Sequence, residues 1–138
     1  MSVWGADAFS NDDAADFLVE VESSRNCWDT VRQALLAGLS RASEQQGARA
    51  LAAAEFVATA KGSHIASIAE DLVAIARTAS PPLVDDLTAL ARRSVVAVRT
   101  SSDWRDYWAE EDRRSPQDGW LSEWLAATDD LLSRLSSA

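Results

Sequence analysis

Residues 48–60 read ARALAAAEFVATA, and the placing of this stretch decides the fold. Alanine is the strongest helix former, with leucine close behind, so the composition predicts a helix over about Gln45 to Ala60. Its residues are apolar almost all the way round, with only Arg49, Glu55 and Thr59 interrupting. A helix of that kind belongs at the centre of a molecule, covered by others. Its alanines let those neighbours come close. Gly62 stands where a left-handed residue ends such a helix.

Helical patterns continue on both sides, and strand patterns are nearly absent. Before the central segment, Ala14, Phe17, Leu18 and Val21 follow the i, i+3, i+4, i+7 spacing of one helix face. Trp28, Val31, Leu35 and Leu39 form the stripe of a second helix, about Cys27 to Leu39, with Asn26 as its cap. After it, Ile65, Ile68, Leu72 and Ile75 predict a helix over about Ser63 to Thr78. Ser80-Pro81-Pro82 stops that helix and starts the next, about Leu83 to Arg99, because proline is tolerated in a first helical turn. Asp85 and Asp86 are placed in its first turn. Ser101 or Ser102 caps a short helix carrying Trp104 and Trp108, and a last helix covers about Trp120 to Leu135. The expectation is an all-α, single-domain bundle of six or seven short helices spanning residues 1–138.

The composition agrees. A chain of 138 residues, 47% of them hydrophobic, is long enough to bury a core without staples. Cys27 is the only cysteine, so no intramolecular disulfide forms, and a lone thiol suits a reducing cytoplasm. The opening MSVWGADAF has neither a basic region nor an apolar run, so no secretory signal is expected. No run reaches the ~18 apolar residues of a membrane span. The net charge of −9, from 22 acids and 13 bases, repels nucleic-acid backbones and favours a basic protein partner.

Residues 3–17, VWGADAFSNDDAADF, hold the densest polar cluster: Asn11, Asp12, Asp13 and Asp16. Such a group can be a metal site, a catalytic cluster, a docking surface or a helix start. The last needs the least. Ser10 is a suitable N-cap with Asp13 three residues on, and Phe9 with Ala14 makes a hydrophobic staple. Carboxylates in a first turn are favoured by ~0.3–1 kcal/mol each. Asp12, Asp16 and Glu20 still form an all-acidic stripe, whose like charges cost ~0.2–0.5 kcal/mol per pair. A basic residue elsewhere in the fold, or a basic partner, is needed to offset it.

Catalytic groups are hard to assemble. Cys27 and His64 are the only Cys and His and lie far apart in sequence, which also argues against structural zinc. Cys27 at a helix start is either a thiol of lowered pKa or a small buried hydrophobe. The spacing of Asp12, Asp13 and Asp16, even with Glu110, Glu111 or Asp112 added, is not that of a calcium loop or of a bundle metal site. No glycine-rich loop has phosphate-binding form, and no cofactor is expected. The six tryptophans include two i, i+4 pairs. Trp104 and Trp108, flanked by charges, are either core or an exposed interaction patch.

The opening resembles that of a bacterial family of domains of unknown function, number four-two-five-nine in its series. Trp4, Gly5, Phe9, Asn11, Asp12, Asp13, Ala14 and Asp16 match its G-x-W-G-x-x-x-F-x-N-D-D-A-x-D-W pattern, while Val3 and Phe17 depart from an expected Gly and Trp. The likeness continues through ALAAAEFVATAKG and SSDWRDYWAEED, where SDW replaces Ser-Glu-Leu. It implies that the segment before the first helix folds back, burying Trp4 and Phe9, with Asn11 and Asp16 fixing the turn by side-chain to backbone bonds. It implies no activity. The expected function is a non-enzymatic interaction module of the cytoplasm, in concrete form an immunity- or antitoxin-like inhibitor with a basic partner. A carboxylate-based metal-binding protein or hydrolase, and a structural homo-oligomer subunit, are the alternatives.

Overall fold

The computed structural model describes residues 5–63 and 68–136, and its elements are all helical. Among the described residues the order is α1 (Asp12–Ser23), α2 (Cys27–Ala37), α3 (Glu44–Ala60), α4 (Glu70–Ala76), α5 (Pro81–Thr100), α6 (Asp103–Arg114), a single 3-10 turn at Pro116–Asp118, and α7 (Trp120–Ser136). The all-α bundle read from the periodicities is the fold. None of these helices is long and apolar enough to cross a membrane.

α3 is the axis. Twelve of its seventeen residues are buried, Glu55 and Thr59 among them. Every other α-helix packs on it. Close packing needs small side chains at the crossings. Gly47 seats Trp104, whose Cβ lies 2.6 Å from where a Cβ on the glycine would stand. Trp28 of α2 stacks on Phe56 of α3 at 5.0 Å. Ser43 starts α3 with a complete capping box, its hydroxyl accepting from Gln46 N–H while the Gln46 side chain accepts from Ser43 N–H. At the other end Gly62, at φ 96°, lets its own N–H reach Thr59 O and Ser63 N–H reach Ala58 O, which closes the helix with a Schellman turn.

Three boundaries differ from the sequence reading. α1 is capped by Asn11, one residue later than Ser10, so Asp13 is not a capping-box residue. Where a helix was expected over Ser63 to Thr78, the described α4 runs from Glu70 to Ala76, and the Ser63 N–H is spent in closing α3; Ile65 lies outside the described residues. α5 starts on Pro81 itself, which moves Asp85 and Asp86 beyond the first turn.

Candidate functional site

The opening motif folds into a turn held by a residue that periodicity does not mark. Asp7 Oδ1 accepts from Phe9 N–H at 2.9 Å, and its Oδ2 accepts from the Ser10 hydroxyl at 2.6 Å. Local bonds of this kind are how aspartate builds turns. They tie the Ser10 side chain to Asp7, and the cap of α1 falls to Asn11. Asn11, 1% exposed, accepts from Ala14 N–H at 2.8 Å. Gly5 is required by closeness, since a Cβ there would stand 2.9 Å from Ser10 Cβ and Oγ. Phe9 is buried, as the folded-back segment requires. Trp4 lies outside the described residues.

Of the acids, Asp12 and Asp16 are exposed and Asp13 half-buried. Asp12 and Asp13 occupy the first turn of α1. Asp16 sits a turn further on and does not hold the backbone turn expected of it; Asp7 does. The acidic stripe meets a cation at its far end. Arg49 of α3 pairs with Glu20, and its guanidinium lies over the Phe17 ring at 5.2 Å. That arginine, one of three interruptions in the apolar α3, is the signal that was available for it. No three of His, Cys, Asp and Glu among the described residues are grouped to hold a metal ion. Cys27 is half-buried, and burial pushes its thiol up from the ordinary value.

Trp104 and Trp108 are both buried, so they are not an exposed aromatic patch. Their i, i+4 spacing points both rings inward from α6. Trp104 meets Trp108 edge-on at 5.3 Å, and Trp108 meets Trp120 of α7 at 6.0 Å. Outside them Tyr107, half-buried, stacks on Trp104 at 5.1 Å.

Tyr107 belongs to a groove of about 930 Å³ between the start of α3 and the outer face of α6. Five carboxylates line it, from Glu44, Asp103, Asp106, Glu110 and Glu111, against the guanidiniums of Arg113 and Arg114. The groove is assembled by backbone as well as charge. Asp103 N–H donates to Ala42 O at 2.8 Å, and Ser102 caps α6 by accepting from Arg105 N–H at 3.0 Å. At its edge Arg41 bridges Asp103 at 3.3 Å and Asp106 at 2.5 Å. Arg113 pairs with Glu110 and holds its carboxyl below the usual range. Burial, then Glu111 and Glu44, push the Tyr107 phenol up. A neutral aromatic ring beside several carboxylates suits a cation with an apolar stem.

A second charged cluster is internal. Arg134 of α7 forks onto Glu55 of α3, with Nη1 and Nη2 each 2.7 Å from a carboxylate oxygen, and its Nε reaches Asp130 at 2.8 Å. Glu55 also borders a cavity of only about 10 Å³. That is room for no more than a water, so this pair serves architecture.

A family model described as "Domain of unknown function (DUF4259)" matches residues 2–124. No curated protein and no solved structure matches the chain.

Proposed function

The chain belongs to the DUF4259 family of domains of unknown function, and from that premise we propose that it is a non-catalytic interaction module taking a basic protein segment in the groove along α6. The observation that carries this reading is the excess of acid around Tyr107, five carboxylates against the guanidiniums of Arg41, Arg113 and Arg114, in an open groove of about 930 Å³. Rim carboxylates attract a lysine- or arginine-rich segment from a distance, and the ring offers its aliphatic stems a surface. The net charge of −9 acts in the same sense over longer range. In the concrete form of an immunity- or antitoxin-like inhibitor, the basic segment belongs to the partner's own active surface.

Fluorescence polarisation with a labelled Lys/Arg-rich amphipathic peptide tests it. Glu44→Lys and Glu110→Lys each weaken binding about tenfold, the change that ~1.4 kcal/mol represents. Added salt weakens the wild type more than either variant. Equal affinity across the three proteins overturns the proposal.

A further inference from the structure

A second groove, of about 970 Å³, lies over α5 and is as basic as the first is acidic. Arg41, Arg92 and Arg93 line it, with Leu39, Val96 and Leu132 among its apolar residues. Six of the twelve arginines, Arg41, Arg49, Arg99, Arg113, Arg114 and Arg134, pair with carboxylates. Arg92 and Arg93 have no ion pair among the described residues, and both are exposed. Between them and the end of α5, Val96 is 49% exposed. An unpaired cationic rim around exposed aliphatic surface asks for an occupant with acids flanking an apolar side chain.

The outer face of α1 has that chemistry. Asp12, Asp16 and Val19 follow one another along it, and Val19, at 63%, is the most exposed large hydrophobic residue described. Asp16 has no ion pair among the described residues; Arg49 reaches only as far as Glu20. The lengths agree as well. α1 has 12 residues, about 18 Å at 1.5 Å per residue, and the α5 stretch from Ala89 to Thr100 that lines the groove is also 12 residues, about 18 Å. Exposed aliphatic residues of this size are few here: Val19, Leu36 and Val96. Two of the three stand on these two surfaces.

We infer that the α5 groove receives the α1 face of a second copy of this chain, with Asp16 against Arg92 and Arg93 and Val19 against Val96. This goes beyond the acidic groove and does not depend on it. The two surfaces are different, so the contact either is made twice, reciprocally, in a closed pair or runs head-to-tail into rings or open chains. One helix in one groove buries less than the ~800 Å² per partner of a standard interface. Association is therefore weak, concentration-dependent and sensitive to salt.

Sedimentation velocity across a concentration series at low and moderate salt tests it, with melting temperatures confirming that each variant is folded. The wild type gains mass with concentration, and less so in salt. Arg92→Glu/Arg93→Glu alone and Asp16→Arg alone both remain monomeric. Mixed in equal amounts they associate again, because the reversed α1 of one now meets the reversed groove of the other. A wild type that stays monomeric at the highest concentration overturns the inference. So does a mixture that fails to associate when the wild type does.

Discussion

The two ends of α3 are joined to the rest of the molecule by opposite means. Near its start, Gly47 takes the Trp104 ring by shape, with no polar group between them. Eight residues further on, about 12 Å along the axis, Glu55 takes Arg134 by charge, in a bidentate pair whose acid is 3% exposed. Shape complementarity tolerates changes of pH and salt and punishes changes of volume. A buried ion pair is instead sensitive to the protonation of its acid. It also resists loss of one partner far more than loss of both, since a lone buried charge is what the interior cannot accommodate.

The largest expected effect is at the charged end. Arg134→Met leaves Glu55 buried without its counter-charge and costs ~3–5 kcal/mol, read from a urea unfolding curve. The double variant Glu55→Leu/Arg134→Met recovers most of that. A single variant that costs under ~1 kcal/mol breaks the comparison, because the pair would then not be holding α7 to α3.

At the aromatic end the expected effect is smaller. Gly47→Ala gains ~1 kcal/mol of helix propensity. Its Cβ, however, would stand 2.6 Å from Trp104 Cβ, an atom next to backbone that cannot swing aside. Overpacking of that kind costs ~1–3 kcal/mol, so the net is a loss of about 1 kcal/mol. Differential scanning calorimetry showing a gain instead would mean that the ring is seated loosely.

The smallest effect separates the two ends by pH. Burial holds the Glu55 carboxyl above its ordinary value of 4.5, despite the pull of Arg134. The native chain therefore binds this proton more tightly than the unfolded chain. The stability linked to it is present below the unfolded value and lost as pH rises through the folded one. On acidification from neutral pH towards about 4.5, the melting temperature of the wild type rises relative to that of Glu55→Gln. Against Gly47→Ala no such drift is expected. A flat difference for Glu55→Gln would show the pull of Arg134 cancelling burial, and a drift of opposite sign would show the ion pair governing the carboxyl.

What could be read in advance follows the range of each interaction. Caps and stops act within a few residues, and Asn26, Ser102 and Gly62 were legible as such. The central place of α3 was legible because a helix apolar on all sides has nowhere else to go. Ser10 misled because two good caps, Ser10 and Asn11, stand side by side and local pattern does not choose between them. Ser63, read as a helix start, misled because its backbone N–H is committed to the helix before it. Arg134 and Glu55 are 79 residues apart, and Arg41 and Asp103 are 62 apart. No local pattern marks such pairs. The acidic groove could not be read at all, since α3 supplies one wall and α6 the other. Trp104 and Trp108 were ambiguous for the same reason: the glycine that seats Trp104 is in another helix.

α3 carries one more consequence. Each of the other six helices rests its apolar face on this shared wall. Stripping away any of them would wet surface that the remaining ones also rely on. Among the described residues there is accordingly no natural seam along which half the bundle could stay ordered while the other half melts, and a single cooperative unfolding transition is the expected outcome.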